Sequence, residues 1–175
     1  MARVFVGIGS NILPEVNIKE ALLLLRKEVL VRRISTVYMT EPINRPADAP
    51  YYNLVVELET DRPPLELKQQ VLRRIETMRG RERGGDKYAS RTIDLDLLLY
   101  DDVVLASHAL TLPDPDILVR PFLAFPLLEL APALILPGST MRLDEAVSAL
   151  PKERLDPLPQ FTAQLRKDIL DERTK

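Results

Sequence analysis

Asp94 and Asp96, two aspartates separated by one leucine, are the residues whose type and spacing most directly suggest chemistry. The segment from Thr92 to Tyr100 reads as a strand, and residues two apart on a strand point to one side. Both carboxylates then share a face, while Ile93, Leu95, Leu97 and Leu99 turn to the core. Aspartate is a poor strand former, and two like charges on one face repel each other. A divalent cation removes that repulsion. Oxygen ligands with no cysteine or histidine nearby suit magnesium and not zinc. Taken alone, the pair could also be an ordinary solvated strand face. Arg91, three residues earlier, and Arg79, Arg81, Arg83 and Lys87 before it shift the balance toward a polyphosphate. Cations hold the non-bridging oxygens and a metal bridges them. A helix C-terminus would account for Arg79, but not for Arg83 and Lys87. Phosphoryl transfer, nucleotidyl transfer and nucleotide binding without turnover all remain open at this level. No G-x-x-x-x-G-K-[ST] occurs, and Gly7-Ile8-Gly9 is too short for a dinucleotide fingerprint, so side chains and metal must bind the phosphates.

The rest of the chain must position these groups. Its 175 residues fit one domain, with 46% hydrophobic and 29% charged residues, a globular balance. A net charge of -2 argues against a nucleic-acid or anionic-membrane binder. The absence of cysteine excludes a disulfide scaffold, a thiolate metal site and a cysteine nucleophile. The N-terminus turns polar too quickly for a signal peptide, and no apolar run reaches the roughly 18 residues of a membrane span. A cytoplasmic location is expected.

The hydrophobic pattern predicts a strand at Val4 to Ile8 and a helix opened by Pro14, with Ile18, Leu22, Leu25 and Val29 as its buried stripe. A strand follows over Arg32 to Met39, then a loop from Thr40 to Pro50. Tyr51 to Thr60 alternates as a strand, with Tyr51, Asn53, Val55 and Glu57 on one face. A second helix starts at Pro63-Pro64 and ends at Gly80. A polar loop leads to the aspartate strand, and Val103 to Leu105 returns as its hairpin partner. Pro113 to Val119 reads as a loop, and helices are expected near Phe122 to Leu130, Leu143 to Leu150 and Phe161 to Leu170. The order predicts an α+β, ferredoxin-like βαββαβ fold, with an antiparallel sheet, helices packed on one face and extra C-terminal helices. Residues 1–150 form the expected catalytic domain and 151–175 a partly helical tail packed on or near it. Tyr51 and Asn53 share the open face with Asp94 and Asp96.

At these residues the sequence resembles the 6-hydroxymethyl-7,8-dihydropterin pyrophosphokinase family. The signature is Lys87-Tyr-Ala-Ser-Arg91-Thr-Ile-Asp94-Leu-Asp96-Leu-Leu. Support comes from Val6-Gly-Ile-Gly-Ser-Asn11, Ser35-Thr-Val-Tyr-Met-Thr40-Glu-Pro42, Tyr51-Tyr-Asn53, Leu110-Thr-Leu-Pro113 and Arg120-Pro-Phe122. The resemblance covers about residues 3 to 140. It implies transfer of pyrophosphate from MgATP to the pterin's hydroxymethyl oxygen, giving AMP, in folate biosynthesis. It implies two magnesium ions on Asp94 and Asp96, with Arg81 and Arg91 as catalytic arginines. It assigns the pterin to Thr40, Pro42, Ile43, Tyr51, Asn53 and Phe122, with the two aromatic rings sandwiching the pterin. It assigns ATP to Glu76, Arg83, Tyr88, Leu97, Leu110, Thr111 and Arg120. A monomer or a homodimer is expected, with ATP and the pterin as partners. The chain departs from the family pattern at Asp114-Pro115, where a histidine followed by an aromatic residue or proline is usual, and at Tyr88, where a tryptophan is common. His108, the single histidine, reads as a surface residue.

Overall fold

The computed structural model describes residues 1–43, 47–80, 90–152 and 154–171. Its centre is an antiparallel sheet. Strand β1 (Ala2–Ser10) pairs with β4 (Tyr51–Thr60) on one side and with β5 (Asp94–Tyr100) on the other. The far side of β4 is shared by β2 (Leu30–Ile34) and β3 (Tyr38–Thr40). A two-residue strand, β8 (Asp156–Pro157), closes the edge beyond β3. Helix α1 (Pro14–Leu25) follows β1. A helical arm follows β4, made of α2 (Pro64–Glu66), a π-helical stretch (Leu67–Leu72) and α3 (Arg73–Met78). It stops at Gly80, whose φ of 76° is the left-handed value that glycine takes freely.

The expected antiparallel sheet and helices are present, but helices occupy both faces. On the first face, α1, the helical arm and α6 (Pro159–Leu170) bury Val4, Val6, Leu54, Val56, Leu58, Leu95 and Leu97. On the second, α4 (Pro121–Leu130) covers Phe5, Val55, Leu98 and Leu99. Leu99 therefore does not share a face with Leu95 and Leu97. The register slips between Phe5 and Val6, pairing Val6 with Leu97 and Phe5 with Leu99. This bulge inserts one extra residue and reverses the alternation beyond it.

Other expected elements change for local reasons. The strand expected at Arg32 to Met39 breaks into β2 and β3, because the amides of Thr36 and Val37 bond away from β4 while Ser35 stays on it. Ser35 exchanges bonds with Val55, Thr36 N–H donates to Glu129, and Val37 N–H donates to Thr162 Oγ1 at 2.9 Å. Helix α1 ends at Leu25, short of Val29. Leu105–Ala106 (β6) pairs with Thr111–Leu112 (β7) and not with β5. The expected loop after Pro113 contains a 3-10 turn at Pro115–Leu118, capped by the Asp114 carboxylate, which accepts from Asp116 N–H at 2.9 Å. The C-terminal part contributes a short helix α5 (Leu143–Ala146) and α6. Leu165 and Ile169 of α6 are buried in the first core, and Arg166 Nε donates to Ile34 carbonyl at 2.9 Å.

Candidate active site

Helix α4 covers only part of the second face. The remainder, beyond its N-terminus, is a cavity of about 280 Å³. The strand register explains why it exists. Asn53, Gly9 and Asp94 lie in one row across β4, β1 and β5, and Val55, Gly7 and Asp96 lie in the next. The central strand thus opposes each aspartate with a residue that has no side chain. A Cβ at Gly9 would come within 2.7 Å of Asn53 Oδ1, and one at Gly7 within 2.7 Å of a Leu123 methyl. Glycine inside a strand marks such a close approach. The Gly7-Ile8-Gly9 spacing is the sequence signal of this floor, although spacing alone does not say what the glycines face.

Thr40, Glu41, Pro42, Ile43, Tyr51 and Asn53 line the cavity from β3, β4 and the segment after β3, and Phe122 lines it from the start of α4. Asn53 is buried and its Nδ2 donates to Thr40 Oγ1 at 2.7 Å, which fixes the amide orientation. Arg91, Asp94, Asp96, Asp116 and Arg120 line the same cavity. Arg91 forms an ion pair with Asp94, and Arg120 Nε lies 3.8 Å from Asp116 Oδ2. Arg120 occupies the N-cap position of α4, whose dipole adds positive potential beside it. Most of the charge, Glu41 apart, therefore lies on the side of Asp94 and Asp96, across the glycine strand from Tyr51 and Asn53.

A second cavity, of about 240 Å³, meets the first at Asp96, which lines both. Leu97, Leu110, Thr111, Lys68, His108 and Asp114 border it, together with neighbouring residues of the β6–β7 turn. Lys68 lies on the π-helical stretch and donates to Ala109 carbonyl at 2.8 Å, tying the arm to that turn. His108, read from sequence as a surface residue, is exposed and stands at this cavity. Burial raises the Asp114 carboxyl above the usual aspartate range, more than its bond from Asp116 N–H lowers it.

Most expected site residues thus gather in two adjoining cavities. Glu76 does not: it is buried, and its Oε1 accepts Leu95 N–H at 2.9 Å, on the edge of β5 opposite β1. Arg81, Arg83, Lys87 and Tyr88 lie outside the described residues. Sequence reasoning missed Gly7, Gly9, Asp116 and Asn11. Asn11 is buried at the end of β1, and its Nδ2 donates to Ala49 carbonyl and Ser90 Oγ.

Residues 5–132 match the family model of 7,8-dihydro-6-hydroxymethylpterin-pyrophosphokinase (HPPK). The chain belongs to the HPPK family. Among its relatives, a 2-amino-4-hydroxy-6-hydroxymethyldihydropteridine pyrophosphokinase of Pseudomonas aeruginosa is 36% identical, over 90% of this chain and 97% of that protein. The similarly named protein of Haemophilus influenzae is 35% identical, over 79% of this chain and 88% of its own. The fold also matches a solved Plasmodium falciparum HPPK-DHPS with SDX-DHP, with a TM-score of 0.62 at 13% identity. That match covers 97% of this chain but 46% of the solved one, so the HPPK-family chain spans less than half of that protein. Among the described residues, no helix is long and apolar enough to cross a membrane.

Proposed function

We propose that this HPPK-family chain transfers the pyrophosphoryl group of ATP to the hydroxymethyl oxygen of 6-hydroxymethyl-7,8-dihydropterin, giving AMP and the pterin diphosphate in folate biosynthesis. The observation that carries this reading is the arrangement of the cavity. Tyr51 and Asn53 stand on one side of the glycine strand and Asp94 and Asp96 on the other, and Arg91, Arg120 and Phe122 line the same cavity. A flat heterocycle with a mixed donor and acceptor edge suits Tyr51, Asn53 and Phe122, and a polyphosphate suits the arginines and the aspartates.

The two carboxylates fit magnesium. They are hard oxygen donors on one strand face, and among the described residues no third histidine or acid closes a cage around them. Open positions are what magnesium needs to keep phosphate oxygens and water as ligands. Asp94 and Asp96 would hold the two ions of this reading, which supply charge neutralisation at the β-phosphoryl group. The protein's own side chains do the rest. Tyr51 and Phe122 stack the ring, Asn53 sets its rotation, and Arg91 and Arg120 hold phosphate oxygens. The pterin oxygen attacks the β-phosphorus, the new O–P bond forms as the bond to the α-phosphate oxygen breaks, and AMP departs. The hydroxyl proton leaves to solvent. Positioning and charge stabilisation account for most of the acceleration in such transfers. Arg81 and Arg83 would add positive charge for the phosphates, and Tyr88 would contribute to ATP binding. Leu97, Leu110 and Thr111 at the second cavity would take the nucleoside, with Glu76 contributing by holding β5.

The ferredoxin-like assignment is supported by the antiparallel order β5–β1–β4, with β2 and β3 beyond β4. The division into a catalytic unit at 1–150 and a packed tail at 151–175 is supported by the bonds from α6 and β8 to β2 and β3. A cytoplasmic location, with the chain as a monomer or a homodimer, completes the reading.

Product analysis tests it. ATP, magnesium and the dihydropterin should yield AMP and pterin diphosphate in equal amounts. ADP would indicate single-phosphoryl transfer and free pyrophosphate would indicate nucleotidyl transfer, and either would sink the reading.

A further inference from the structure

We infer that Asp114 selects a ribonucleotide by accepting hydrogen bonds from the ribose hydroxyls of the triphosphate bound at Asp96. The inference rests on the function proposed above and adds a specificity-determining residue to it.

The argument starts from the charge around the second cavity. Asp96 lines both cavities, so a polyphosphate held there has its far end at the second. Among the described residues, Arg91 and Arg120 line the first cavity and no arginine lines the second. The second presents the Asp114 carboxylate together with Lys68, whose ammonium donates one of its hydrogens to Ala109 carbonyl. Another phosphate beside Asp114 would be repelled, whereas a neutral group rich in O–H donors would be attracted. The sugar next to the phosphates is such a group.

The geometry places Asp114 at the right remove. Its N–H donates to Leu98 carbonyl at 2.9 Å, two residues beyond Asp96 on β5. Two strand residues span about 7 Å, close to the distance from a phosphate group to its sugar. The side chain is also held still, because its Oδ1 accepts Asp116 N–H at the start of the 3-10 turn. A carboxylate has two oxygens and about four lone-pair sites, so capping leaves acceptor capacity for a vicinal diol. Acidic side chains serve the same purpose for ribose in dinucleotide-binding folds. The raised carboxyl of Asp114 agrees with this, since its partial loss of water is what donated hydroxyls would replace.

The test compares binding of magnesium-ATP and magnesium-2′,3′-dideoxyATP by calorimetry, without pterin, in the unaltered protein and in Asp114→Ser. Serine keeps a side-chain cap for Asp116 N–H but is too short to reach a diol, and thermal melting checks that the variant folds. The unaltered protein should prefer ATP by roughly tenfold or more, the scale of hydrogen bonds to a charged acceptor. Asp114→Ser should bring that ratio close to one. A ratio that persists in Asp114→Ser, or that is absent from the unaltered protein, overturns the inference. Because binding is read directly, a failure to form AMP in the product assay would count against the pyrophosphokinase reading alone. Absence of any ATP binding would overturn both.

Discussion

Asn11 and Arg91 hold each other twice. Asn11 N–H donates to Arg91 carbonyl at 3.2 Å, and Arg91 N–H donates to Asn11 Oδ1 at 2.8 Å. The same amide donates to Ala49 carbonyl and to Ser90 Oγ. One buried side chain at the end of β1 thus anchors the segments that enter β4 and β5, and it fixes the backbone of the arginine paired with Asp94.

Replacing Asn11 should therefore do more than remove a contact. Asn11→Ala leaves the Arg91 N–H and the Ala49 carbonyl without this partner. The cost should be about 1–3 kcal/mol of stability, with a fall in kcat larger than the change in pterin affinity. Denaturant unfolding and steady-state kinetics check this. A variant with full stability and full kcat would show that the anchor is redundant.

Asp96 stands where the two cavities meet. Asp96→Asn keeps the shape but removes a charge, so turnover should fall by at least about a hundredfold, the scale of losing one charge-stabilising group. Raising magnesium should restore part of the rate if the loss is one of metal affinity. Near-normal turnover at low magnesium would remove Asp96 from the site.

The glycine floor gives a contrast between two similar substitutions. Gly9→Ala presses on Asn53 Oδ1, which is fixed by Thr40, whereas Gly7→Ala presses on the free end of Leu123. The first should weaken pterin binding by roughly tenfold or more, on the scale of one misplaced hydrogen-bonding group, and the second should have a smaller effect. Fluorescence titration with the pterin separates them, and equal effects would argue against a role for Asn53 orientation.

The C-terminal helix should be part of the folded unit. Thr162→Val leaves Val37 N–H without its acceptor and should cost about 1–3 kcal/mol, whereas Thr162→Ser should cost less. Leu165→Ala should cost about 2–5 kcal/mol, as buried leucines do. Unchanged melting in both Thr162→Val and Leu165→Ala would mean that the tail does not support the sheet.

Asp114 gives a pH dependence of known sign. Its folded carboxyl lies above the usual aspartate range, so the folded state binds the proton more tightly than the unfolded chain. Stability contributed at this position is therefore lost as pH rises through that range. Asp114→Asn removes the titration, and its stability relative to the unaltered protein should improve as pH rises from below the usual aspartate range to above it. Denaturant curves at the two ends of that range measure it. An unchanged difference would mean that the carboxyl is not destabilised by burial.

The sequence by itself determined a good part of this molecule. Alternation placed Asp94 and Asp96 on one face of a strand and Tyr51 and Asn53 on one face of another, because side-chain direction along a strand depends only on local geometry. Proline and glycine marked where the helical arm begins and ends. What pairing decides was not legible. The bulge that turns Leu99 away from Leu97 depends on the register with β1, and Gly7 and Gly9 became a floor only when opposite Asp96 and Asp94. The break between β2 and β3 depends on Thr162 and Glu129, more than ninety residues away. The second cavity needs Lys68, Asp96 and Asp114 brought together from three separate elements. Contacts between distant segments carry no local periodic signal. The sequence could therefore name the paired acids Asp94 and Asp96, while packing alone decided what stands across from them.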